Sequence, residues 1–204
     1  MRPILPRRAG DTVPTMAQVW VNANKSIRSA LTASKERPLI VDTSFCHDGE
    51  AFHLAIYQER VGASWILRAV PPKGKPKAVG AGTASVKGDK LNMSQSALIP
   101  KYRGRGIYQA VIRAFLGVFQ QVCSDTTGTM TEASTKSWQK LGGKLQTTVT
   151  PTSPGVIEMF KSLGRPAPKE TSSSRYCLPG KNKRGAPMRS VTADEICGPA
   201  LRRS

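Results

Sequence analysis

Residues 94–122 read SQSALIPKYRGRGIYQAVIRAFLGVFQQV, and the order of features in this stretch decides the fold. Ala97 to Ile99 is apolar and stops at Pro100, which has no N–H to continue a strand ladder. Tyr102-Arg103-Gly104-Arg105-Gly106 is a basic glycine turn. Behind it Ile107, Val111, Ala114, Phe115, Val118 and Val122 recur at helical spacing. The stretch therefore predicts a strand, a glycine turn and an amphipathic helix.

Such a turn has a chemical use. The first turn of a helix leaves N–H groups without intrahelical partners and carries the positive end of the helix dipole. Gly104 and Gly106 let the backbone approach a ligand with no Cβ in the way, while Arg103 and Arg105 add positive charge. The expected guest is a phosphate or pyrophosphate. A dinucleotide fingerprint is excluded, because no G-x-G-x-x-G can be written here, and the chain contains no G-x-x-x-x-G-K-[ST].

The stretch resembles the acetyl-CoA-binding motif of the GNAT superfamily of N-acetyltransferases. That motif is an apolar strand ending in Val-x-Pro, followed by Arg/Gln-x-x-Gly-x-Gly/Ala and a helix. Leu98-Ile99-Pro100 resembles the strand end and Arg103-Gly104-Arg105-Gly106-Ile107-Tyr108 the loop, with Tyr108 standing where the family has a small residue. Further on, Ser137-Trp138-Gln139-Lys140-Leu141-Gly142 resembles the family's Tyr-x-x-x-Gly ending, with Trp138 in the tyrosine's place. In many family members that tyrosine protonates the departing thiolate, which an indole N–H is not acidic enough to do.

The resemblance spans residues 77–149 and implies an α/β fold: a GNAT-like mixed, mostly antiparallel central sheet with helices on both faces. It implies acetyl-CoA as cosubstrate, with Arg103, Gly104, Arg105, Gly106, Ile107 and Tyr108 on the pyrophosphate. Backbone groups of Leu98 and Ile99 would hold the pantetheine and face the oxyanion. Thr131 and Ser134 either touch the pantetheine or cap the short helix that follows, capping being the simpler role.

Amine acetylation also needs a base, since a lysine-type amine has a pKa of about 10.4. Family members often carry a glutamate on the strand before the glycine turn, but here that strand offers Asn92, Ser94, Gln95 and Ser96. Glu132 is the nearest acidic candidate, with Asp125 behind it; alternatively Glu132 complements a helix dipole. Cys46-His47-Asp48-Gly49-Glu50 with His53 gathers metal-ligand types at no metal spacing, and reads as a polar turn. No metal site is expected.

The 204 residues carry 31 Lys and Arg against 13 Asp and Glu, a formal charge of +18, with 39% hydrophobic residues. That suffices for one domain with a core, set at 15–180 between a basic arm, 1–14, and a basic tail, 181–204. The charge favours polyanionic partners, nucleic acid among them. The four cysteines form no C-x-x-C pair and suggest no secreted disulfide scaffold, so a reducing cytoplasm is the expectation. No apolar run reaches the length of a membrane span or a signal peptide.

Along the chain a helix is expected over Thr15–Ala33, which the resemblance would place between the first two strands. Strands follow at Leu39–Phe45, Phe52–Glu59, Ser64–Val70, Ala78–Val86 and Leu91–Ile99, the last two turning at Lys87–Lys90. After the helix come a strand at Thr127–Thr131, a helix at Ala133–Leu141, a helix at Val156–Leu163 and an edge strand at Arg175–Leu178. The resemblance implies an N-acetyltransferase acting on a primary amine. Two other readings stand beside it: a catalytically weak GNAT-fold binding or structural protein, similar to acetyltransferase-like proteins of tailed bacteriophages, or a basic nucleic-acid binder.

Overall fold

Alternation of apolar and polar residues builds the first half of the sheet. The computed structural model describes residues 37–180 and 196–197. Five strands follow one another as a meander: β1 (Leu39–His47), β2 (Glu50–Gln58), β3 (Ala63–Val70), β4 (Lys77–Lys87) and β5 (Lys90–Leu98). In β2, Phe52, Leu54 and Ile56 share one face and are fully buried, opposite Ala69, Leu67 and Trp65 of β3. The other face of the same pair buries Ala55 and Ile66. The centre of the sheet is thus covered on both sides.

β4 carries glycine where its neighbours need room. Trp65 of β3 lies opposite Gly82, and a Cβ there would meet the indole Nε1 at 2.5 Å. At Gly80 a Cβ would meet Leu98 Cδ2 at 2.5 Å. Two missing side chains let a tryptophan and a leucine fold across the strand.

The glycine turn leads into α1 (Ile107–Val118), whose Ile107, Val111, Phe115 and Val118 are buried at the expected spacing. Phe115 meets Trp65 edge-on at 6.2 Å, which fixes the helix against the sheet. Burying such a ring contributes about 1.5–3 kcal/mol. The helix ends earlier than its apolar period suggests: Phe119 is extended and Val122 lies in β6 (Gln121–Cys123). β6 runs parallel to β5 for three residues, and then the two strands part.

Other elements correct the reading further. Among the described residues β1 turns directly into β2 through Asp48-Gly49 and β2 into β3 through Glu59 to Gly62, while the helix expected at Thr15–Ala33 lies outside the described residues. So do the arm 1–14 and the tail 181–204, apart from Ile196 and Cys197. Residues 127–131 are not a strand. Asp125 accepts from the Thr126 N–H, and Thr129 N–H turns back to Thr126 O, so a side-chain-closed turn takes threonines that read as β-formers.

Then come α2 (Glu132–Lys140), β7 (Lys144–Pro151), α3 (Pro154–Ser162) and β8 (Glu170–Pro179). Sheet order is β1-β2-β3-β4-β5-β6-β8-β7, so β8 is interior and β7, which the sequence did not reveal, is the edge. β8 meets β6 over three residues but β7 over eight. These two strands run on past β6 as an exposed arm, with Thr147 bonded to Ser174 and Thr150 to Thr171 across it. No residue of α3 is buried.

The cysteines are not free, contrary to expectation. Cys123 pairs with Cys177 between β6 and β8, and Cys46 pairs with Cys197. Separations of 54 and 151 residues left no spacing signal, so the pairing removes the ground for inferring a reducing compartment. No described helix is long and apolar enough to cross a membrane.

Candidate functional site

The parting of β5 from β6 is where the site forms. Pairing ends at Asn92 with Cys123, so the outer edge of β5 beyond it has no described strand beside it. Between Met93 and Ser96 the strand bulges against Gly82 and Ala84 of β4, which re-aims the segment that follows. Ile99 N–H donates to Val79 O, inside the sheet. Alternation then turns the amide groups of Leu98 and Ser96 to the open edge.

Pro100–Tyr102 makes one 3₁₀ turn, and Arg103 N–H closes it on Pro100 O. Gly104 and Gly106 both sit at left-handed angles, φ +73° and +74°, which the tight turn requires and glycine adopts without strain. Gly106 is the N-cap of α1 and provides no side-chain cap; the first turn contains no acidic residue. The N–H groups of Ile107, Tyr108 and Gln109 are left for a ligand by helix geometry.

These pieces open into a cleft of about 460 Å³ between the end of β5, the glycine turn and α2. It is lined by Leu98, Arg103, Gly104, Gly106, Ile107 and Tyr108, and from α2 and its cap by Thr131 and Ser134. Eight of the residues singled out from sequence thus converge on one space. Ile99 and Arg105 do not line it. Arg105 turns to Glu50, 3.0 Å away, and lies 5.6 Å above the Tyr102 ring.

Thr131 has the capping role: its Oγ1 accepts from Ser134 N–H at 3.2 Å. Glu132 stands in the first turn of α2, four-fifths exposed and ion-paired with Lys136, and does not face the cleft. That placement fits a charge on the helix dipole. Trp138 is fully buried in the core, as its apolar bulk suggests. The polar turn at Cys46–Glu50 is a turn, yet three of its side chains reach further: Cys46 is in a disulfide and His47 and Glu50 are on the glycine loop, while Asp48 Oδ2 lies 3.5 Å from His47 Nε2. His53 bonds Asp42 instead.

Sequence reasoning missed Ser96, Ala97, Tyr102, Gln109, Lys136, Ser137 and Lys140, which also line the cleft. The signal for the last three was their helical spacing from Ser134 and Ala133. With Arg103, Lys136 and Lys140 make the cleft cationic, and no carboxylate lines it among the described residues. Arg103 Nε donates to Leu98 O at 2.7 Å, bracing the strand end against the turn. The arrangement can hold a polyphosphate at one end and an extended amide chain along β5.

Comparison places several acetyltransferases among the solved structures similar to this chain. The ribosomal-protein-S18-alanine N-acetyltransferase of Escherichia coli shares 13% identity over 66% of this chain and 76% of its own, with a TM-score of 0.35. The diaminobutyrate acetyltransferase of Paenibacillus lautus, solved with its substrate and coenzyme A, shares 17% over 60% and 73%, TM-score 0.33. Nourseothricin acetyltransferase shares 14% over 70% and 91%, TM-score 0.33. No protein-family model and no curated protein matches the chain.

Proposed function

We propose that this chain is a GNAT-type domain that binds acetyl-CoA in the β5–α2 cleft and transfers the acetyl group to a primary amine. One observation carries the reading: an uncapped helix N-terminus behind a glycine turn opens into the gap where β5 has left β6. The pyrophosphate would take the N–H groups of Gly104, Gly106, Ile107 and Tyr108, with Arg103 and Lys140 nearby for charge. The pantetheine amides would take the open edge at Ser96 and at the Leu98 N–H, since the Leu98 carbonyl already accepts from Arg103.

Acetyl-CoA supplies a thioester whose thiol, at a pKa of about 8.5, is a tolerable leaving group without an acid. The chain's part is to orient that ester along β5 and to present an N–H from the bulged segment to the developing oxyanion. Deprotonating the amine is less well served. Among the described residues the titratable side chains lining the cleft are Arg103, Lys136, Lys140, Tyr102 and Tyr108, none a carboxylate. That observation favours the second reading, a GNAT-fold binder with weak catalysis.

Calorimetric titration of acetyl-CoA separates these from a fold with no cofactor. Micromolar binding by the native chain, lost in Gly106→Trp, is expected. At φ +74° a side chain is strained, and a Cβ would already stand 3.4 Å from His47. Absence of binding by the native chain would end both readings. Binding without transfer to any amine in a screen would leave the second.

A further inference from the structure

The glycine turn does not hold its shape alone. His47 comes from the end of β1, 58 residues earlier, and its Nε2 lies 2.7 Å from the Arg105 carbonyl oxygen. A carbonyl only accepts, so Nε2 carries the proton in this contact. Glu50, across the same hairpin turn, bonds the Arg105 guanidinium at 3.0 Å. Asp48 and Gly49 between them adopt left-handed angles, φ +48° and +73°, which tighten the turn and bring His47 and Glu50 to one end.

A trans peptide points its C=O and the following N–H in opposite directions. The Arg105 carbonyl is drawn toward His47, which does not line the cleft, whereas Gly106 does. Fixing the carbonyl outward therefore fixes the Gly106 N–H inward. We infer that His47 and Glu50 are positioning residues for the anion site: the β1–β2 turn sets the Arg105–Gly106 peptide so that the Gly106 N–H faces the bound phosphate. Arg105 acts as the handle for this grip and makes no contact in the cleft. The inference rests on the acetyl-CoA reading only for the identity of the anion.

The grip is lopsided in a useful way. Arg105 is held by its backbone through His47 and by its side chain through Glu50, with the Tyr102 ring beneath the guanidinium. Tyr102 in turn packs edge-on against Phe52 of β2, at 6.0 Å. Two contacts from one hairpin thus reach Arg105 directly, and a third arrives through Tyr102, which rests on Phe52 of the same hairpin.

Two measurements on the full chain test this. Acetyl-CoA affinity should fall about tenfold in His47→Ala, the value of one lost hydrogen bond, and recover in His47→Gln, which restores an N–H donor. Backbone order parameters at residues 104–107, read without ligand, should drop from about 0.85 toward 0.6 in His47→Ala and recover in His47→Gln. His53→Ala is the control, because His53 is on the same hairpin but bonds Asp42; it should change neither. Unchanged order parameters in a folded His47→Ala overturn the inference, as does equal weakening by His53→Ala. Should the native chain not bind acetyl-CoA while the order parameters fall and recover as stated, the cofactor reading fails and the positioning stands.

Discussion

Replacing Gly82 with leucine is expected to cost the fold about 3 kcal/mol or more, at the upper end of what overpacking does to a filled core. A Cβ at this position would overlap the Gln95 carbonyl oxygen and come within 2.5 Å of Trp65 Nε1. Neither neighbour can yield cheaply. Trp65 is fully buried against Phe115, and Gln95 is backbone in the β5 bulge. Relief must come from moving the bulge, and the bulge aims the open edge of the cleft. Gly82→Ala should accordingly weaken acetyl-CoA binding while leaving most molecules folded. Urea unfolding gives the stability; a leucine variant with the native midpoint would mean the indole does not cross this strand.

Trp138→Ala should cost about 3–5 kcal/mol, the usual penalty for deleting a buried aromatic. Trp138 is the only buried residue of α2, so this side chain is what seats the helix. Ser134, Ser137 and Lys140 ride on the same helix and line the cleft. Loosening the core side should therefore blur the cleft side. Trp138→Phe makes the sharper comparison, because the indole Nε1 finds no hydrogen-bond partner among the described residues. Removing an unsatisfied donor costs no hydrogen bond, so phenylalanine should lose only part of the packing. Thermal melts of the two variants decide: equal losses would show that the N–H is bonded after all.

Much of the molecule could be read from the chain because its signals were local. The meander follows from period-two alternation in β2 and from turn residues such as Lys87-Gly88-Asp89-Lys90. The glycine turn follows from two glycines beside a helical period. Misreadings arose where one residue type served two purposes. Thr126 to Thr131 has the β-branched composition of a strand, but the Asp125 carboxylate closes a turn there. Val122 continues the period of α1 in sequence and lies in β6 in space. The grip of His47 on Arg105 and the two disulfides join residues 54 to 151 apart, and no local pattern encodes such distances. Lys136 and Lys140 were hidden for another reason: which face of α2 meets the cleft depends on how Trp138 seats it.

The arm of β7 and the first half of β8 is held by backbone ladders and hydroxyl pairs, and among the described residues its side chains are exposed along all of β7. Exposed substitutions of this kind usually stay within about 0.5 kcal/mol. The described residues thus include close-packed positions, where substitution is costly, and exposed ones, where it costs the fold little. Gly82, Trp138 and Gly106 belong to the first, and Thr147 to Thr150 to the second. A new surface could therefore be built on that arm by substitution alone, with the packing behind the cleft left as it is.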